Sequence, residues 1–158
     1  MKTHIFLTLL VVLTSIGCAQ SETKLDPKKE VVCFVYHRFD DDRYPSTNTK
    51  VSDFKSHLQY LKDQGYQVLT FADAIDYMNS SDPVQKTAVI TIDDGYESFY
   101  KNGLPVLKEF DFPATLYINT ETVGGSSYMD WDQIKAAAYA GIEIGNHTHS
   151  HAYFLNQP

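Results

Sequence analysis

Short apolar runs alternate with helix-like segments along most of this chain, and that alternation limits the folds open to it. Val31–Tyr36 is rich in β-branched and aromatic residues and reads as a buried strand. Over 52–64, Phe54, Leu58 and Leu61 repeat at helical spacing, with Ser52 as the expected N-cap and Gly65 as the stop. Residues 66–69 form a short strand, and Thr70 is placed to cap a helix running to about Asn79. A loop at 80–83 leads to Thr87–Ile92, the clearest strand. A helix is expected over about 99–110, its start made irregular by Gly103 and Pro105. A strand at 114–118, a helix at 130–140 between Asp130 and Gly141, and a strand at 142–145 complete the series. Such alternation predicts an α/β fold with about five parallel strands joined by crossover helices. The series stops at Asn156-Gln157-Pro158 without a closing helix. The expected architecture is therefore the N-terminal part of an incomplete β/α barrel, and the chain is expected to be a fragment of a longer one.

The formal net charge of −7 argues against a nucleic-acid partner, because phosphate binding needs a basic face. At the N-terminus, Lys2 precedes an apolar run from Ile5 to Ile16, too short to span a bilayer and shaped like a secretory signal. Gly17-Cys18 follows at once, as in bacterial lipoprotein signals, although Ser15 stands where an apolar residue is usual. The expectation is an exported protein held at the membrane or cell surface through lipidated Cys18; a plain cleaved signal peptide is the alternative. Residues 19–30 are polar and aperiodic and read as a tether. The folded domain is expected over 31–158. Cys33 lies among apolar residues and is expected to be a free core thiol without a redox or metal role.

Ligands of parallel α/β sheets and barrels bind at the carboxyl ends of the strands. Three polar clusters fall there: Tyr36-His37-Arg38, Asp93-Asp94-Gly95 and 146–151 (NHTHSH). His147 and His151 are four apart, which on a helical turn would put both on one face to chelate a metal, with His149 pointing elsewhere. Two imidazoles and a carboxylate suit a catalytic zinc, and Asp94 can supply the carboxylate. Two adjacent aspartates repel one another. A divalent cation relieves this by taking one, leaving the other to act as a base, while Gly95 permits the tight turn.

Thr91-Ile92-Asp93-Asp94-Gly95 and His147-Thr148-His149-Ser150-His151 resemble the two N-terminal motifs of the polysaccharide deacetylases, the NodB-homology or family 4 carbohydrate esterases. The stretches VYHRF (35–39), FPATLYI (112–118), WDQIK (131–135) and GIEIGNHTHSH (141–151) are most similar to the branch acting on poly-β-1,6-N-acetylglucosamine, a biofilm exopolysaccharide. The resemblance implies a distorted (β/α) barrel and metal-dependent hydrolysis of N-acetyl groups on a polysaccharide. It implies Asp93 as general base and Asp94, His147 and His151 as ligands of zinc, with cobalt or nickel as alternatives. Thr148 would brace the histidine loop, Tyr96 would offer its backbone N–H to the oxyanion, and His37 and Arg38 would lie at the substrate rim. Later motifs of the family supply an arginine that orients the base, an Asp-Trp segment and a Leu-x-x-His general acid, and none of these follows the histidine loop in this sequence. The rival expectation is a non-catalytic carbohydrate-binding lipoprotein that keeps the metal site. A further alternative changes only the substrate, to chitin, peptidoglycan or xylan.

Overall fold

The computed structural model describes residues 28–152. The expected signal, the lipidation site at Cys18 and most of the tether lie outside the described residues. In chain order the elements are β1 (Val31–Tyr36), β2 (Arg38–Phe39), β3 (Asn48–Thr49), α1 (Val51–Asp63), β4 (Gln67–Leu69), α2 (Phe71–Asn79), β5 (Thr87–Ile92), α3 (Leu104–Phe110), β6 (Thr115–Ile118), α4 (Trp131–Tyr139) and β7 (Glu143–Asn146). Strands β1, β5, β6 and β7 lie side by side in that order, and β4 also pairs with β5. Every pairing in this sheet is parallel. This is the α/β fold with five parallel strands that the alternation predicts. No helix among the described residues is long and apolar enough to cross a membrane.

Side chains alternate across a strand, so the sheet has two distinct faces. Ala88, Ile90 and Ile92 of β5 join Tyr36, Leu116, Ile118 and Ile142 on one face. There they meet Phe54, Leu58 and Leu61 of α1, Leu104, Val106 and Leu107 of α3, and Ile134 and Ala137 of α4. The odd-numbered residues of β5 point the other way, and α2 lies on that side. Its N-terminal N–H of Phe71 donates to Thr115 Oγ1 at 2.8 Å and to the Glu143 carboxylate at 3.0 Å. A carboxylate from β7 thus satisfies orphan donors of α2 and complements its dipole.

Near the strand ends the core becomes aromatic. The Phe54 ring lies 4.8 Å from that of Tyr36 and 4.9 Å from that of Phe39, both edge-on. Gly103 sits where a Cβ would stand 2.9 Å from Phe99 and 3.0 Å from Phe39, so the approach of α3 to this cluster requires glycine. The chain before α3 is a π-turn over Phe99–Gly103, which is the irregular start that Gly103 and Pro105 predict.

Three local expectations need correction. Ser52 is not the N-cap of α1: the helix begins at Val51, whose N–H donates to Asp40 Oδ1 at 2.9 Å, so a residue eleven positions away does the capping. Strand β1 is not buried throughout, and Cys33 is exposed rather than in the core. The physical reason is that β1 pairs with β5 alone among the described residues, which leaves one edge open. The small parallel pair of β2 and β3 was not anticipated, since two-residue strands carry no periodicity. The caps at Thr70 and Asp130 do form, the latter as a full capping box with Gln133.

Phe54 is fully enclosed by the aromatic cluster. Phe54→Ala is expected to lower the unfolding free energy by about 3–5 kcal/mol, read by denaturant titration. A loss below about 1 kcal/mol would mean that this cluster does not pack as described.

Candidate metal centre

The strand register builds the site. Tyr36 pairs with Ile92, which sets His37 beside Asp93, and Ile118 pairs with Asn146, which sets Asn119 beside His147. The ladder continues past the strands: Asp93 N–H donates to Tyr36 O and His147 N–H to Ile118 O, each at 2.9 Å. By strand alternation His37, Asp93, Tyr117 and His147 project from the face opposite the large core. Gly145 lets the Tyr117 ring lie across β7 next to His147, because a Cβ there would come within 2.5 Å of the ring.

Asp94 Oδ1 lies 3.5 Å from His147 Nε2 and 3.7 Å from His151 Nε2. One donor atom from each of the three falls within 4.8 Å of the others. Ligand bonds of about 2.1 Å place tetrahedral donors roughly 3.4 Å apart, so these separations fit a zinc-sized ion. The donor chemistry, two imidazoles and one carboxylate, fits as well. Asp94 is mostly buried, whereas His151 is 63 % exposed, so the site opens toward solvent on the His151 side.

The two histidines do not converge by helical geometry, which corrects the expectation from their spacing. Residues 147–152 are irregular, with Thr148 and His151 in the left-handed region at φ 69° and 53°. Side chains hold this loop. Asn146 Oδ1 accepts from Thr148 N–H, and Thr148 Oγ1 accepts from His151 N–H at 3.0 Å. The buried Asn119 donates its side-chain amide to the carbonyl of His147. His149 turns away to bond Thr120 Oγ1 at 2.9 Å. Asn119 was missed from sequence, since nothing in its local context marks it; its place opposite His147 emerges only from the register.

Asp93 stands outside this candidate triad. Its half-buried carboxyl is raised above the ordinary value by desolvation, pulled back by His147 and His37, and raised further by Asp94. A raised pKa makes it a better proton acceptor. His37 Nε2 is 4.0 Å from Asp93 Oδ2, too long for a direct hydrogen bond but within the same cluster. Arg38, expected at the rim, is buried, with its guanidinium between the rings of Tyr44 and Tyr96. Among the described residues the N–H of Tyr96 donates to no protein group, while Gly95 O and Glu97 N–H on either side are bonded across to Met129 and Ser127.

Because Asn119 orients the His147 carbonyl from behind, Asn119→Ala is expected to weaken Co2+ binding by roughly 10- to 100-fold, followed by visible absorption in a competition titration. Unchanged affinity would show that the loop holds its ligands without this contact.

A polysaccharide deacetylase family profile matches residues 80–158. The Bacillus subtilis protein YxkH, which carries the polysaccharide deacetylase name, is 30% identical over 129 residues, covering 81% of this chain and 46% of its own length. The Escherichia coli poly-β-1,6-N-acetyl-D-glucosamine N-deacetylase is 26% identical over 148 residues, covering 80% of this chain and 22% of its own. Among solved structures, IcaB from Ammonifex degensii superposes with a TM-score of 0.70 at 29% identity, over 77% of this chain and 54% of that one. The chain thus spans less than half the length of these curated relatives. With the family profile spanning both the Asp93-Asp94 turn and the histidine loop, this chain belongs to the polysaccharide deacetylase family.

Proposed function

We propose that this chain carries the metal-binding and proton-accepting part of a hydrolase that removes N-acetyl groups from an N-acetylglucosamine polysaccharide. The observation that carries the reading is the convergence of Asp94, His147 and His151 beside a separate, half-buried Asp93. The relatives named for poly-β-1,6-N-acetylglucosamine support that polymer as substrate.

Asp94, His147 and His151 would hold a divalent ion, zinc or alternatively cobalt or nickel. Such an ion supplies Lewis acidity toward a carbonyl and acidifies water. The chain's own groups do the rest. The carboxylate of Asp93 takes a proton from water as its oxygen adds to the acetyl carbonyl. The unpartnered Tyr96 N–H, at the same turn, donates to the oxygen that gains charge. The C–N bond then breaks, and the leaving nitrogen needs a proton to depart as an amine. His37, whose Nε2 lies 4.0 Å from Asp93 Oδ2 at the end of β1, can deliver it. Products are acetate and a free glucosamine unit. In this reading His37 does more than line the rim.

Acetate release from a β-1,6-linked N-acetylglucosamine oligomer with added Zn2+ or Co2+ tests the proposal. Asp93→Asn is expected to abolish release and keep Co2+ binding; retained release would remove Asp93 from the base role. His37→Gln is expected to lower kcat by roughly 100-fold or more, in the range of a lost general acid. Metal binding with no release by the unsubstituted chain would favour the carbohydrate-binding reading.

We further propose that the protein is exported and held at a membrane through Cys18, supported by the apolar run and the Gly17-Cys18 pair. Cys18→Ser is expected to move the protein from the membrane to the soluble fraction and to end incorporation of labelled fatty acid. Labelling that persists in the variant would overturn the anchor.

A further inference from the structure

Arg38 is enclosed in a way that a substrate contact does not require. Its guanidinium carbon lies 3.4 Å from the centre of the Tyr96 ring and 3.8 Å from that of Tyr44, so both of its flat faces are covered. Asp41 Oδ2 accepts from its Nη1 at 3.1 Å, and Arg38 is only 6 % exposed. Arg43 donates to both oxygens of Asp41, to Oδ1 at 2.7 Å and to Oδ2 at 2.9 Å, and reaches Ser127 Oγ at 3.3 Å. The two arginines, Arg43 most strongly, hold the Asp41 carboxyl down to about 2, so it stays ionised at neutral pH. Tyr96 has a second aromatic neighbour: its ring lies 4.9 Å from that of Tyr128, and the two residues form an isolated antiparallel bridge.

These contacts meet at one residue of the site. Tyr96 directly follows Asp93-Asp94-Gly95, and its free N–H is the donor assigned above to the developing oxyanion. A ring packed against both Arg38 and Tyr128 is restrained, and so are the Cα and amide behind it. Arg38 is also next to His37 in the chain, and the same enclosure holds the backbone that presents the imidazole to Asp93.

We propose that Arg38 is a positioning residue, whose stack between Tyr44 and Tyr96 aims the Tyr96 N–H and the His37 imidazole at the reacting group. This rests on the deacetylase reading. Planarity is essential to it, because a guanidinium stacks between two rings and binds a carboxylate edge-on at once, whereas an ammonium does not.

The test compares Arg38→Met, Arg38→Lys and the milder Tyr44→Leu with the unsubstituted full chain. Three readouts are taken: kcat and KM for acetate release, the Co2+ visible spectrum, and hydrogen exchange of the Tyr96 amide by NMR. Arg38→Met is expected to lower kcat by roughly 10- to 100-fold with little change in KM, since small misplacements of catalytic groups have effects of that size. Its Co2+ spectrum should be unchanged, and Tyr96 exchange should speed up. Arg38→Lys should not rescue kcat, and Tyr44→Leu should shift kcat and exchange in the same direction by less. A raised KM at constant kcat would instead make Arg38 a substrate contact and overturn the proposal, as would full activity in Arg38→Met. Should Arg38→Met fail to fold, Tyr44→Leu decides by the same measures. If the unsubstituted chain binds Co2+ but releases no acetate, the deacetylase reading fails by itself. The clamp then stands or falls on Tyr96 exchange alone, and unchanged exchange in all variants overturns it.

Discussion

Everything in the site depends on the position of β5 in the sheet. It is buried at all six residues and paired with β1 on one side and with β4 and β6 on the other. A one-residue slip would turn Ala88, Ile90 and Ile92 out of the helix-covered core and would send Asp93 into it. The apolar core therefore does more than stabilise the fold. It fixes which side chains reach the carboxyl ends of the strands, and so brings His37, Asp93, Asn119 and His147 together from four different strand ends.

The polar groups of the site gain little from their neighbours. Three imidazoles and two carboxylates crowd together, with Asp93 half buried and its charge disfavoured by that burial. The loop that carries His147 and His151 adds backbone strain, since a left-handed φ is unusual for a β-branched residue such as Thr148. Hydrogen bonds to Asn146, Thr148 and Asn119 offset it. Strain retained by specific polar contacts, rather than removed, is what a site needs when its ligands must be aimed before any ion arrives.

Much of this was legible in the chain. The apolar run in 87–92 and the helical spacing of Phe54, Leu58 and Leu61 carry enough signal to place the parallel sheet and its crossover helices. The Asp93 and His147 clusters were legible as site candidates because both fall at strand ends. What was not legible is non-local. His147 and His151 meet through left-handed loop geometry, not the helical turn that a four-residue spacing invites. Asn119 acts through register with β7, and Asp40 caps α1 from outside it. The exposure of Cys33 depends on how many neighbours β1 has, which its own sequence cannot report. Arg38 read as a rim residue because it follows a strand end, whereas the rings that enclose it come from positions 44 and 96.

The turn at Asp93-Asp94-Gly95 shows why two adjacent carboxylates can serve one site. In a continuing strand they would point to opposite faces, and only one would reach the side where His147 lies. Asp94 at φ 70° and Gly95 at φ 69° end that alternation at once. The second carboxylate then swings to the side of the first, toward His147 and His151, while Asp93 keeps the orientation that β5 imposes. Aspartate tolerates the left-handed region better than most residues, so the ligand itself can make the turn. Gly95 has a second constraint, because a Cβ there would come within 2.7 Å of the Ile118 side chain at the end of β6. The separation between a proposed proton acceptor held by the strand and a proposed metal ligand held by the turn thus follows from one backbone reversal, where the left-handed φ and the close approach of Ile118 both favour glycine at position 95.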